Sequence, residues 1–386
     1  MKSTCVHFPE CGGCSVLNVD YTEQLKNKRA YLQKLFAGFD IEIPDIVPSP
    51  QHYFYRHKVQ LPFAYYKKGQ KGNIALGCYG VDSHKVIDQR ECLIQDKDLT
   101  RIACIIREWA ERCKLTVYNE KNGSGFLRHV LLRKAAGTGE ILIGLVTNGD
   151  RPDGSRQMAN WLIEAIGKAY KGNVPVVGIV QNVNKRSTNV VLGSVEHIWW
   201  GRPYLKELLG NYKFKVEMST FFQVNPYQTP QLYTIALNAL PEGGRVLDLY
   251  CGVGSISLWL TKKADEVVGL EENPNSVRAA KTAASLNGVK NVKFITGDVA
   301  ELLPDWCNKG FSCAVIDPPR KGMESNVVNS INHSTLKRLV YVSCNPETLC
   351  RDAKLLGNAF TLKQLTGVDM FPHTEHIEAV AVFGHA

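Results

Sequence analysis

Two patterns of apolar and polar positions divide the chain. Before about residue 215, short apolar runs alternate with turn residues and a few helical stretches. Tyr21, Leu25, Leu32, Leu35 and Phe36 recur near helical spacing and predict a helix over 21–36, followed by a linker punctuated by Pro44, Pro48 and Pro50. Val59–Leu61 and Ile74–Leu76 predict strands joined by the basic loop Lys67–Asn73. Residues 97–114 predict an amphipathic helix. Val130–Arg133 and Ile141–Val146 predict a hairpin around Gly137-Thr138-Gly139. A helix over 161–169 and a strand over 174–182 follow.

From about residue 228 the rhythm changes to regular strand–helix alternation. Helices are predicted over 228–240, 255–262 and 274–286. Strands are predicted over 245–249, 266–270, 292–295, 314–317, 339–343 and 377–383. Repeated βα units with apolar strands predict a parallel, doubly wound sheet, with ligands beyond the carboxyl ends of its strands.

Composition sharpens this picture. The chain has 386 residues with 44% hydrophobic and 22% charged, which excludes a disordered, collagen-like or coiled-coil protein. No apolar run reaches the roughly 18 residues of a membrane span, and no apolar signal region follows Met1, so a soluble, cytoplasmic protein is expected. The formal net charge is +9. Residues 1–210 carry the whole surplus, with 29 basic and 20 acidic side chains, and residues 211–386 are neutral. Residues 51–134 alone are net +8. A basic half beside a neutral half suits a grip on a polyanion, although a solvated basic face gives the same count. The 12 cysteines, without a signal peptide, point to buried residues, metal ligands or nucleophiles rather than disulfides.

The neutral half carries a ligand-binding pattern. Asp248-Leu249-Tyr250-Cys251-Gly252-Val253-Gly254 sits where the first strand turns into a helix, and Gly252 and Gly254 allow close approach of a ligand. Glu271 ends the second strand, 19 residues after Gly252, where an acid can accept both ribose hydroxyls. Asp298 follows the third strand and can bind an adenine amine; Asp317 ends the fourth. Position 257 is Ser, so a diphosphate turn lacks its third glycine. That disfavours an NAD-dependent oxidoreductase and favours S-adenosyl-L-methionine (SAM), which has no phosphate.

Cys344 follows the strand Leu339–Val342 on the same sheet edge, ahead of an Asn-Pro turn, and is a candidate nucleophile. A methyl acceptor with its own lone pair needs no thiolate. C5 of a pyrimidine does: thiolate addition at C6 makes C5 nucleophilic, and a base must later remove the C5 proton. Glu378 is the candidate base. Asp317-Pro318-Pro319-Arg320 has Arg320 where amine-directed nucleic-acid methyltransferases carry a base-stacking aromatic residue, which argues against an amine acceptor.

These segments, with Phe221–Pro226, Tyr341–Pro346, Asp369–His376, Tyr55–Gln60, Gly77–Tyr79 and Phe126–His129, resemble the RNA (uracil-5-)-methyltransferase family over residues 5–383. The resemblance implies Cys344 as nucleophile and Glu378 as proton-abstracting base. It also implies a SAM and active-site set of Gln223, Tyr250, Ser255, Glu271, Asp298 and Asp317, with Phe221 and Gln223 by the target base. Arg56 and Lys58 match positions that meet RNA, while His57 stands where Asn is expected between them.

Cys5, Cys11 and Cys14 form a C-x5-C-x2-C group. By spacing alone it suits either a structural zinc site or an iron–sulfur cluster. The resemblance implies a [4Fe-4S] cluster with Cys92 as the fourth ligand, in the type that acts on 23S rRNA. The place of Cys5 near the start implies that the family's N-terminal β-barrel RNA-binding module is lacking.

The expected architecture is α/β: a Rossmann-like, class I SAM-dependent methyltransferase domain (216–386) with a β-rich α+β central RNA-binding domain (51–215). A cluster loop (1–20) and a helix with linker packed on the catalytic domain (21–50) precede them. The expected activity is methylation of C5 of a 23S rRNA uridine by a monomer. The alternatives are the tRNA T-loop uridine, cytosine, or an RNA-binding assembly factor with a relict fold.

Overall fold

The structure is a computed structural model that describes residues 5–66, 74–188, 190–357 and 359–385. The expected basic loop Lys67–Asn73 lies outside the described residues. The chain divides into two compact units. The first comprises Met1–Asn18, His52–Leu208 and Lys215–Thr220; the second comprises Val19–Gln51, Leu209–Phe214 and Phe221–Ala386. Helix α1 (Tyr21–Leu35) therefore belongs to the second unit.

The first unit is built on β1 (Lys58–Tyr65), β2 (Ile74–Tyr79), β3 (Val86–Asp88), β4 (Leu127–Lys134), β5 (Ile141–Thr147), β6 (Val176–Val183) and β7 (Val195–Gly201), with α2 (Lys97–Arg112) and α3 (Ser155–Ala169). The strands form one sheet in the order β3-β2-β1-β4-β5-β6-β7. The β5–β6 pair is parallel because α3 makes the crossover between them; the other pairs are antiparallel. Leu99, Ile102, Ala103, Ile106 and Ala110 put one face of α2 into the core with Leu132, Ile143 and Ile179 of the sheet. Asp96 caps α2, accepting hydrogen bonds from the backbone N–H groups of Asp98 and Leu99. A two-stranded ribbon, β8 (Tyr204–Leu209) and β9 (Tyr212–Glu217), carries the chain between the units.

The second unit continues through α4 (Thr229–Asn238), β10 (Arg245–Leu249), α5 (Ser255–Leu260), β11 (Glu266–Glu271), α6 (Pro274–Leu286) and β12 (Val292–Thr296). It then runs through α7 (Val299–Trp306), β13 (Cys313–Ile316), α8 (Ser325–Asn332), β14 (Arg338–Ser343), α9 (Pro346–Leu356), β15 (Phe360–Val368) and β16 (Glu378–His385). Its sheet order is β12-β11-β10-β13-β14-β16-β15. The fold is Rossmann-like α/β, but the sheet is mixed rather than wholly parallel: β16 runs antiparallel to both β14 and β15. No helix separates β15 from β16, so the chain reverses through the loop 369–377 instead of crossing over. The reversal brings the start of β16 to the sheet edge where β10, β11, β13 and β14 end.

Polar side chains of α1 anchor that loop. Gln24, Lys28 and Leu32 are the buried residues of the helix, one turn apart. Lys28 Nζ lies 2.7 Å from Asp369 Oδ1, and the Tyr21 hydroxyl donates to Asp369 Oδ2 at 2.8 Å. The Gln24 side chain accepts from the His373 backbone N–H at 2.9 Å. Asn225 Nδ2 donates to Ser49 Oγ and to the Met370 carbonyl, and Gln228 Nε2 donates to the carbonyls of Val47 and Pro48. The proline linker is thereby held within this unit. Among the described residues, no helix is long and apolar enough to cross a membrane.

Candidate active site

Cys344 is the first residue after β14, half-buried, and leads into the turn that starts α9. Asn345 caps α9 by accepting from the Glu347 N–H at 3.1 Å. Its Nδ2 donates to the Arg320 carbonyl at 3.3 Å, and Thr348 Oγ1 donates to the same carbonyl. The turn carrying the thiol and the Asp317–Arg320 loop are thus tied together by two hydrogen bonds to one carbonyl.

The β14–β16 register pairs Ser343 with Ala379. Cys344 and Glu378, the first residue of β16, each lie one residue beyond that last pair, and Glu378 is close enough to act on the thiol. Glu378 is buried, and burial together with the Asp317 carboxylate pushes its carboxyl well above the usual range, with Arg320 opposing. Burial, Glu378 and Asp317 push the Cys344 thiol up to about 11, again against Arg320. Asp317 is half-buried just beyond β13, and burial raises its carboxyl to about 7. One thiol, two carboxyls and one guanidinium therefore share this sheet edge. The chemistry open to them is nucleophilic addition by sulfur and proton transfer by a carboxylate.

Beside them lies a cradle. Tyr250, Gly252 and Gly254 all have positive φ, at 61°, 54° and 76°. A Cβ at Gly254 would meet Phe294 Cζ at 2.7 Å, whereas a Cβ at Gly252 would meet nothing within 4 Å. The first glycine is needed for packing, and the second leaves open space for a ligand. Glu271 accepts from the N–H groups of Gly252 (3.1 Å) and Asn273 (2.9 Å), which fixes its carboxylate and leaves lone pairs for further donors. Asp298 is exposed and caps α7 through Oδ1, accepting from Ala300 N at 2.8 Å. Ser255 opens α5, with its hydroxyl 2.9 Å from the Tyr233 hydroxyl. Gln223 is half-buried and Phe221 is 66% exposed, while the adjacent Phe222 is buried against Phe214. An open glycine turn, a fixed ribose-type carboxylate and an exposed second acid fit the nucleoside of SAM.

Sequence reasoning gave Asp248 no role beyond its motif. It is fully buried, accepts from Ser257 Oγ, and burial pushes its carboxyl to about 7. Its apolar strand neighbours and Ser257 in the place of a third glycine were the available signals. Arg320, read only as the absence of an aromatic residue, is the cation that acts on both Cys344 and Glu378.

The cysteine loop belongs to the first unit. Cys11 pairs as a β-bridge with Gly80, Gly12 N donates to the Tyr79 carbonyl at 3.0 Å, and Val81 N donates to the Glu10 carbonyl at 3.0 Å. Cys5, Cys11 and Cys92 lie near enough to Cys14 that they, with burial, push its thiol up to about 12. Cys11 is held down at about 6, first by a hydrogen bond with Cys78, then by Gly13 N–H, Gln89 and Arg56. Cys78 is a thiol neighbour that spacing did not single out. Among the described residues, no three His, Cys, Asp or Glu side chains stand in metal-holding geometry. The donor chemistry nevertheless suits a polythiolate group: Gln89 Nε2 (3.2 Å) and Gly13 N (3.4 Å) donate to Cys11 sulfur, and Arg56 supplies positive charge.

Lys58 starts β1 opposite Arg133 of β4, and burial plus that like charge lower it to about 8. Arg56 is half-buried. His57 is buried, with Nε2 3.7 Å from Asp96 Oδ2, so its side chain faces the interior.

Residues 194–385 match the family model described as tRNA (Uracil-5-)-methyltransferase. An RNA methyltransferase of Leptospira interrogans is 46% identical over 387 residues, covering 99% of this chain and 98% of that protein. One of Clostridium acetobutylicum is 38% identical over 392 residues, covering 99% of this chain and 83% of that protein. Among solved structures, the Pyrococcus abyssi tRNA (uracil-54, C5)-methyltransferase in complex with S-adenosyl-L-homocysteine superposes with a TM-score of 0.76 at 28% identity. That match covers 97% of this chain and 86% of the archaeal one.

Proposed function

The chain belongs to the family of RNA uracil-5-methyltransferases, enzymes that use SAM, and on that premise we propose that it methylates C5 of a uridine in 23S ribosomal RNA. The observation that carries the C5 chemistry is the proximity of Cys344 and Glu378 at the sheet edge, where the carboxyl acts on the thiol. Cys344 Sγ adds to C6 of the uracil, and the electron pair moves to C5 and O4. C5 takes the electrophilic methyl group that SAM supplies, and S-adenosyl-L-homocysteine is the leaving group. Glu378 then takes the C5 proton, the C5–C6 double bond re-forms, and the C6–S bond breaks to return the thiolate. The base is held out of its stack to reach the thiol, with Phe221 and Gln223 beside it. Gln223, Tyr250, Gly252, Ser255, Glu271, Asp298 and Asp317 line the SAM and active site.

The first unit holds the RNA through Arg56 and Lys58. Its net charge over residues 51–134 supports a salt-sensitive grip on phosphates. Cys5, Cys11, Cys14 and Cys92 hold a [4Fe-4S] cluster that braces the loop, since methyl transfer needs no electrons. Iron and sulfide analysis of anaerobically purified protein, repeated for Cys92→Ala, tests that assignment. The enzyme works as a cytoplasmic monomer.

RNA containing 5-fluorouridine tests the reaction, because fluorine at C5 cannot leave as a proton. With SAM it should yield a denaturation-stable enzyme–RNA adduct that Cys344→Ala abolishes. Separate ribosomal and transfer RNA transcripts identify the substrate. Adducts on transfer RNA alone would overturn the ribosomal assignment, and none on either would overturn the C5 chemistry.

A further inference from the structure

Two clefts of the first unit share lining residues. One, of about 750 Å³, is bounded by the cysteine loop and by Arg56 and Gln60. The other, of about 610 Å³, is bounded by Tyr65, Tyr118 and Lys121. Pro62, Tyr79 and His129 line both, so the two clefts adjoin at these residues and together offer one groove surface. The wall beside Tyr79 is fixed, since its carbonyl accepts from Gly12 N and the neighbouring Gly80 bridges to Cys11.

The chemistry of the groove changes along its length. Its middle is aromatic, with the Tyr79 and His84 rings 5.6 Å apart. Burial and Arg128 hold the His129 ring down at about 4, so it is neutral at physiological pH and suits a base edge or a ribose hydroxyl rather than a phosphate. Its Nδ1 is buried without a hydrogen-bond partner, as is Nε of Arg56. Arg56 lines one cleft and Lys121 and Arg128 line the other, with Asp82 in the first lining and Glu120 in the second. Aromatic faces for stacking between cations for the backbone are the two components of single-strand recognition.

We propose that this groove binds an unpaired segment of the RNA substrate, with one base stacked on Tyr79 beside His129 and the backbone held by Arg56 and Lys121. This base is not the one that reaches Cys344. The proposal rests on the RNA-binding reading above and adds a second base-recognition site to it.

A labelled hexanucleotide of adenosine and cytidine tests the groove apart from the reaction, because it contains no uridine to methylate. Fluorescence anisotropy reads its affinity. Tyr79→Ala should weaken binding about 10-fold or more, with Tyr79→Phe close to wild type. Lys121→Glu, at an exposed position that leaves folding intact, should weaken binding and reduce its dependence on log salt by about one unit of slope. Absence of hexamer binding by the wild-type protein would overturn the groove assignment. So would binding lost in Phe221→Ala but kept in both Tyr79→Ala and Lys121→Glu. A failed methylation assay with intact hexamer binding would instead overturn the reaction and leave the groove standing.

Discussion

Cys344 and Glu378 each lie one residue beyond Ser343 and Ala379, the last pair of the β14–β16 register, and the Glu378 carboxyl acts on the Cys344 thiol. Glu378 makes ionisation of the thiol harder, while burial and Asp317 make ionisation of Glu378 harder. The pairing suits sequential use: sulfur acts at C6 first, and the carboxylate acts at C5 after methyl transfer. Glu378→Gln should therefore still add sulfur and accept the methyl group, then stall before elimination. Turnover should fall about 10²- to 10⁴-fold, while a methylated covalent enzyme–RNA complex accumulates on denaturing gels. Normal turnover in this variant would remove Glu378 as the base.

Arg320 opposes both shifts. With a thiol near 11, only a small fraction is thiolate at neutral pH, so adduct formation should rise with pH across the range 6.5 to 9. Removing the guanidinium raises the thiol further. Arg320→Ala should therefore move the rising limb to higher pH and slow adduct formation several-fold at pH 7.5. Single-turnover rates against pH check this, and an unmoved limb would remove Arg320 from the electrostatics of the thiol.

The two glycines of the β10–α5 turn should fail differently. Gly254→Ala forces a methyl group to 2.7 Å from Phe294 Cζ at a φ of 76°, so it should destabilise the second unit and abolish measurable SAM binding. Gly252→Ala adds a methyl group into open space, so it bears only the strain of its positive φ, about 1 kcal/mol. Its thermal stability should fall little, while SAM affinity measured by calorimetry drops 10-fold or more because the ligand needs that space.

Much of the second unit was legible because its strands are short apolar runs separated by amphipathic helices, a pattern that survives without tertiary context. The strand that ends at Glu271 and the strand that ends just before Cys344 fall where periodicity predicts. The antiparallel β16 was not legible as such, since a strand's direction depends on its partners and β15 (FTLKQLTGV) has no continuous apolar run. In the first unit, β7 was hidden because most of its residues are exposed. The polar part of the buried face of α1 was not legible for a different reason. Periodicity registers apolar residues, whereas Gln24 and Lys28 are buried by partners more than 340 positions away in sequence. Spacing grouped Cys5, Cys11 and Cys14 and the resemblance added Cys92, but neither singled out Cys78, which arrives through the pairing of the loop with the end of β2.

The Lys28–Asp369 pair yields a stability prediction. Both side chains are almost wholly buried, and Asp369 also accepts from Tyr21. Lys28→Met leaves a buried carboxylate without its cation and should cost about 3–5 kcal/mol. Lys28→Met combined with Asp369→Leu should recover part of that loss. Denaturant unfolding of the single and double variants checks this, and a single-variant cost below about 1 kcal/mol would contradict it.

The central claim is that a thiolate adds to uracil so that the C5 proton can be exchanged for methyl. It is tested most directly by tritium release from RNA carrying 5-tritiated uridine, with and without SAM, for wild type and Cys344→Ala. The account predicts SAM-dependent release by the wild type, matching methyl incorporation one for one, and a loss of at least about 10³-fold in the variant. Methyl incorporation without tritium release, or release that survives Cys344→Ala, would contradict it.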